Sequence, residues 1–155
     1  DPFEHRGLNE LVVGARERLG MRIVPAGRAG SGILRALRNN EVVALLIDIP
    51  QQGTGVNVEF FGAQVAVPDG PARLALRAGA PIFVALLPRL GPASDRFAAV
   101  VARVPFSATG DRDRDARELT QQTMRALEGT VRRHPEQWYI FRSLWVEDGE
   151  AGEAA

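Results

Sequence analysis

Cysteine and lysine are absent from this 155-residue sequence, and histidine occurs only at His5 and His134. The lack of cysteine excludes a disulfide framework, a thiolate nucleophile and cysteine-ligated zinc or iron–sulfur sites. The lack of lysine makes every fixed cation a guanidinium, which meets carboxylate and phosphate bidentately where an ammonium acts as a point charge. Neither sign of charge dominates. Nineteen arginines face 19 aspartates and glutamates, so the basic excess of a duplex-binding surface is missing and nucleic acid is not an expected partner. Long apolar runs are missing too: Val42 to Ile47 and Ala80 to Leu87 fall far short of the roughly 18 residues a bilayer span requires. No charged n-region and apolar h-region follow Asp1, so no signal peptide is visible, and the sequence reads as a piece of a longer chain. What is present is 45% apolar content, enough for one compact domain with a core of useful size and too little for two ordinary ones.

Strand and helix patterns alternate along the chain. Leu8, Leu11, Val12, Ala15 and Leu19 carry helical spacing, predicting a helix over 3–19 that Gly20 ends. Met21 to Val24 is a short strand candidate, and Gly30 to Asn39 places Ile33, Leu34 and Leu37 on one helical face. Val42 to Ile47 is continuously apolar between Glu41 and Asp48, the pattern of a strand buried on both faces of a parallel sheet. A Gly/Pro loop over 49–55 leads into the alternation of Val56, Val58 and Phe60, which runs to Phe61-Gly62. Pro71 opens a helix that Gly79 closes, and Pro81–Leu87 and Phe97–Val104 are further buried strands. The longest helix spans 111–133, with Leu119, Thr123, Met124, Leu127 and Val131 inward. The expected fold is α/β, a mainly parallel sheet covered by helices. Residues 147–155, acidic and small, read as a disordered tail.

Several motifs invite chemistry. Gly27-x-x-Gly30-x-Gly32 precedes a helix that could hold a phosphate, but it has neither the dinucleotide spacing nor the Gly-Lys-Ser/Thr of a P-loop, and a structural turn accounts for it. Asp111-x-Asp113-x-Asp115 resembles the start of a calcium loop, yet Ala116 and Gln122 stand where glycine and a bidentate glutamate are needed. Acids at a helix start answer the macrodipole instead, and no metal site is expected. His5 and Glu10 match a His-x-x-x-x-Asp/Glu signature, but five helical residues turn side chains about 140° apart, out of mutual hydrogen-bond reach. His134 reads as a cation near a helix C-terminus. Asp48 stands out, because it ends an apolar strand and opens a Gly/Pro loop, where ligands bind in open α/β sheets. A loop-capping aspartate is the alternative.

From Asp48 onward a family pattern emerges. Leu46-Ile47-Asp48-Ile49-Pro50-Gln51, Gly55 through Phe60-Phe61-Gly62, Val67-Pro68-Asp69-Gly70-Pro71 through Ala75, and Gly79-Ala80-Pro81 resemble the lipid A biosynthesis acyltransferases, more closely the phosphatidylinositol mannoside acyltransferases. The block from Asp1-Pro2-Phe3 to Arg16 and Gly20, and Pro135-Glu136-Gln137-Trp138 followed by Arg142, agree. The resemblance covers about 1–146, read as the C-terminal part of a single acyltransferase domain. It implies fatty acyl transfer from a thioester donor, acyl-CoA or acyl carrier protein, to a hydroxyl of a membrane glycolipid, with no cofactor. It also implies a catalytic histidine in a block upstream of this chain, so that residues 1–155 alone are expected to be inactive. Asp48 would belong to the active site, orienting the base or acceptor. Arg16 would face the anionic head group or donor phosphate, and Arg142 would meet phosphate. Phe60-Phe61-Gly62 and Trp138 are expected to be core and turn residues. The implied location is the cytoplasmic face of the inner membrane, on the membrane surface or anchored by an N-terminal segment. Two alternatives remain from the residues alone: a nucleotide-dependent enzyme with phosphates at Gly30 or Gly53, and a non-catalytic interaction module in which Asp48 only caps its loop.

Overall fold

The computed structural model describes residues 5–24, 29–47, 55–140 and 144. Contacts divide the chain into two compact units, Asp1–Val43 and Ala44–Ala155.

The first unit holds two helices, α1 (Arg6–Arg18) and α2 (Ala29–Arg38). Helix α1 starts immediately after His5, whose Nδ1 accepts the Leu8 N–H at 3.3 Å and so caps one of the open amides of the first turn. It closes at Gly20, where the Gly20 and Met21 N–H groups return to the Glu17 and Arg16 carbonyls. The helical spacing of its apolar residues is confirmed, but none of them is buried, and Leu11 is 64% exposed. Helix α2 buries Ile33, Leu34 and Ala36 and ends in the same hydrogen-bond pattern, with Asn40 at φ 61°. Met21–Val24, expected as a strand, joins no ladder. Arg22 within it pairs with Glu41 at 2.5 Å.

The second unit carries the core. Strands β1 (Val56–Phe60) and β2 (Ala63–Val67) form an antiparallel hairpin, with Val56 opposite Val67 and Phe60 opposite Ala63. Strand β2 was not foreseen. The turn between them is Phe61-Gly62, with φ of 52° and 81°, both positive as a primed two-residue hairpin turn requires. Helix α3 (Gly70–Ala78) follows, with Pro71 in its first turn, and then β3 (Phe83–Leu86) and β4 (Val100–Arg103), again antiparallel. The bridge Arg89↔Phe97 carries that pairing into the connecting loop. Helix α4 (Arg112–Val131) lies against β1, α3 and β3, and a short 3-10 turn (Pro135–Gln137) ends the ordered succession.

Helix α4 buries all five residues its spacing placed inward, Leu119, Thr123, Met124, Leu127 and Val131. Leu119, Met124, Leu127 and Val131 meet Val58, Phe60, Val65, Val67, Ala72, Ala75 and Val84 in one apolar cluster, each large side chain contributing about 1.5–3 kcal/mol by leaving water. Threonines can line this face because their hydroxyls bond back to the helix. Thr120 donates to the Ala116 carbonyl and Thr123 to that of Leu119, both at 2.7 Å. At the N-terminus Asp111 accepts from the Asp113 and Arg114 amides, and buried Asp115 accepts from Thr109 N–H, Thr109 Oγ1 and Gly110 N–H. Arg73 ties α3 to α4 by pairing with Asp69 at 2.7 Å and Asp113 at 2.8 Å.

The class is α/β, but the described strands do not form the expected mainly parallel sheet. A two-residue turn and a bridged loop can join only antiparallel neighbours, since parallel strands need a crossover. Val42–Ile47 is also not a strand among the described residues, and Val42 is 99% and Leu46 87% exposed. An extended run holds a ladder only where a neighbour takes its N–H and C=O groups, and no described strand lies beside this one. Strand β3 was expected to be buried on both faces, yet it buries Val84 and leaves Phe83 exposed. Residues 147–155, read as a tail, lie outside the described residues.

Candidate functional site

Of the three residues assigned to the site, Asp48 and Arg142 lie outside the described residues, and Arg16 is described. Arg16 stands exposed in the last turn of α1, where its charge complements the helix C-terminus. The residues on either side of the stretch 48–54 are described. Ile47, directly before it, is half-buried and packs on the core cluster. Gly55, directly before β1, presses its backbone on Val67, where an added Cβ would lie 2.4 Å from the carbonyl oxygen. Only glycine fits that approach. Ile47 and Gly55 are therefore both held against the apolar core.

Beside this framework the Phe60-Phe61-Gly62 turn and the Pro-Glu-Gln-Trp block come together. The Phe61 ring stacks on Trp138 at 6.1 Å and 23°, while the fully buried Phe60 meets both edge-on at 4.7 and 5.6 Å. The Arg132 guanidinium covers Phe61 at 4.9 Å from the ring centre. Glu128 completes the knot by accepting the Phe61 N–H at 2.9 Å and pairing with Arg132 at 2.6 Å. The amide first, and then Arg132, hold the Glu128 carboxyl below its ordinary range. Trp138 Nε1 is buried with no hydrogen-bond partner among the described residues. The expected turn-and-core role of these aromatics is what the structure shows.

Two glutamines act as backbone clamps. Gln121 of α4 accepts the Glu59 N–H at 2.8 Å and donates to the Glu59 carbonyl at 2.9 Å. Gln137 does the same for Arg89, at 2.6 and 3.2 Å. Sequence reading missed both clamps and the Glu128 contact to Phe61. The Glu128–Arg132 pair was legible at its four-residue spacing, but partners 48 to 67 positions away leave no local signal.

The set-aside motifs each have another occupation. His5 caps α1, and Glu10 pairs with Arg6 at 2.8 Å, so the two do not form a base and its orienter. Gly32 meets Val24, whose Cγ1 would lie 2.8 Å from an added Cβ, which is a packing reason for that glycine. Asp111, Asp113 and Asp115 are used as cap, ion-pair partner and amide acceptor. Their guanidinium and amide partners leave no three-carboxylate cage. His134 Nδ1 lies 4.0 Å from Glu136 at the surface. Among the described residues no helix is long and apolar enough to cross a membrane.

The aromatic turn and the Gln-Trp block, which the fold brings together, are two of the blocks that carry the family resemblance. The model of the bacterial lipid A biosynthesis acyltransferase family matches residues 3–147. The chain belongs to that family. It is similar to the phosphatidylinositol mannoside acyltransferases of two Mycobacterium tuberculosis strains, 30% identical over 145 residues, covering 91% of this chain and 44% of each relative. The protein of the same name from Mycolicibacterium smegmatis is 26% identical over 137 residues, covering 86% of this chain and 43% of its own length. The chain thus spans less than half the length of these curated relatives.

Proposed function

We propose that the full-length protein transfers a fatty acyl group from a thioester, acyl-CoA or acyl carrier protein, to a hydroxyl of a membrane glycolipid such as a phosphatidylinositol mannoside or a lipid A precursor. The observation that carries this reading is the unbroken family match over residues 3–147. The names of the mycobacterial relatives favour the mannoside acceptor. The chemistry needs a base for the acceptor hydroxyl, a carboxylate that orients it, and donors for the tetrahedral oxyanion. We assign the carboxylate to Asp48. The base is assigned, as the family resemblance implies, to a histidine in a block upstream of this chain. Arg16 and Arg142 are assigned to phosphates of head group and donor, which guanidinium forks suit. The reaction is placed at the cytoplasmic face of the inner membrane, where a glycolipid hydroxyl and a soluble thioester can meet. In the whole protein Val42–Ile47 enters a mainly parallel sheet and delivers Asp48 from its carboxyl end.

The test is thioester turnover by the full-length protein with a glycolipid acceptor. Asp48→Asn should lower turnover about 10²- to 10⁴-fold, the range for a group supporting proton transfer, with the far-UV circular dichroism of the parent. An Asp48→Asn protein that folds and turns over at the parental rate overturns the assignment.

A further inference from the structure

Among the described residues two guanidiniums lie over aromatic rings, those of Arg132 and Arg89. Their surroundings differ in one respect. Arg132 is neutralised by Glu128, whereas no described carboxylate pairs with Arg89. Arg89 stands exposed, three positions after Leu86 at the end of β3. It is nevertheless held in place. Its own N–H and C=O are both taken by the Gln137 amide, at 2.6 and 3.2 Å, which fixes the main chain on either side of its Cα. Its guanidinium lies 4.8 Å from the centre of the Phe97 ring, the residue bridged to it across the loop, and gives one N–H to the Ser94 carbonyl. A guanidinium presents five N–H donors in a planar fork, so most of the fork stays available while the ring sets its plane. Glu136, the acid nearest in sequence to Gln137, is turned elsewhere: it accepts from Gln137 Nε2 at 3.3 Å and lies 4.0 Å from His134.

We propose that Arg89 binds a phosphate of one of the two substrates, and that Gln137 is the positioning residue that aims it. A cation fixed by ring, carbonyl and backbone clamp, yet left without a counter-charge, is arranged to receive an anion, and the guanidinium fork matches phosphate oxygens bidentately. Both substrates of the proposed reaction can supply one, the acceptor in the phosphodiester of its head group and the donor in the phosphates of its carrier. The place agrees with this. Ligands of open α/β sheets bind outside the carboxyl ends of the strands. Arg89 follows the carboxyl end of β3, and in the parallel sheet proposed above Asp48 leaves its own strand on that side. Gln137 belongs to the Pro-Glu-Gln-Trp block, so the clamp gives the glutamine of that block a task in substrate binding. The inference rests on the reading of this chain as part of a longer acyltransferase.

The full-length protein is assayed with a phosphatidylinositol mannoside as acceptor and a long-chain acyl-CoA as donor, each KM being measured with the other substrate saturating. Arg89→Gln should raise one KM about 10- to 100-fold, the loss of hydrogen bonds to a charged group, with kcat within about threefold of the parent and the other KM unmoved. A raised acceptor KM assigns the phosphate to the head group, and a raised donor KM assigns it to CoA. Arg89→Lys keeps the charge without the fork and should fall between parent and Arg89→Gln; it carries the test if Arg89→Gln does not fold. Gln137→Ala should raise the same KM, whereas a glutamine of structural importance alone would lower the melting temperature and leave both KM values in place. Arg96→Gln, in the same loop but with no ring beneath its guanidinium, is the control and should keep parental values. A folded Arg89→Gln that keeps both KM values, raises both together or lowers kcat alone overturns the inference, as does an Arg96→Gln that raises a KM equally. Calorimetric titration of CoA and of the water-soluble glycerophosphoinositol mannoside separates the claims. Weaker binding by Arg89→Gln in a protein without turnover upholds the phosphate site and refutes the reaction, while turnover with both KM values unmoved refutes the site and leaves the function standing.

Discussion

Single side chains carry much of the order between helix and hairpin. Glu128 accepts the amide of Phe61, the one non-glycine residue of the hairpin turn, and anchors the guanidinium above its ring. Glu128→Ala should therefore cost about 1–2 kcal/mol, the scale of one hydrogen bond to a charged group, read as a lower urea midpoint at unchanged slope. Glu128→Gln keeps an acceptor and should lose less. Asp115 behaves similarly toward acid. Its carboxyl is held below the ordinary range, first by the Thr109 amide and further by the Thr109 hydroxyl and Gly110 amide. A carboxyl whose folded value is depressed adds stability above its unfolded value, near 3.9, and loses that contribution as pH falls through the folded value. The stability gap between the protein and Asp115→Asn should thus be full near neutrality and close on acidification below about pH 4, as thermal melts across that range would record. The run of three aspartates drew attention in sequence, but which one would be buried was set by a loop that folds back onto the helix start.

At the scale of elements, periodicity was legible and partnership was not. The inner face of α4 and the bounds of α3 followed from apolar spacing, Pro71 and Gly79, because helical bonds close within the element. Strands bond outside themselves, so Val56, Val58 and Phe60 announced β1 while β2 and the antiparallel register stayed hidden. The unpaired, largely exposed Val42–Leu46 and the half-bare β3 differ from expectation for the same reason. The site was less legible still, since Asp48 and Arg142 were assigned by resemblance. The β1–β2 hairpin offers a comparison between two kinds of glycine. At Gly62 the need is a positive φ with open space around it, so Gly62→Ala should cost about 1–2 kcal/mol of left-handed strain. At Gly55 the added methyl would strike the Val67 backbone. Gly55→Ala should be the more damaging of the two, and paired denaturant titrations would rank them.

For the whole molecule, the decisive fact is coverage. The chain matches less than half the length of its relatives, and among the described residues Leu45, Leu46, Phe83 and Leu87 are exposed. Residues 1–155 alone should therefore show no thioester turnover under conditions where the full-length protein is active, and turnover abolished there by His5→Ala would overturn the assignment of the base. The clamps add a different consequence. Phe60 pairs with Ala63 across the turn, so Glu59, one position along, directs its N–H and C=O away from β2. Gln121 fills both valences with its own amide, occupying the place of a neighbouring peptide group. At Glu59 the outer edge of the hairpin is thereby closed to templating by another chain, the hazard of any open strand.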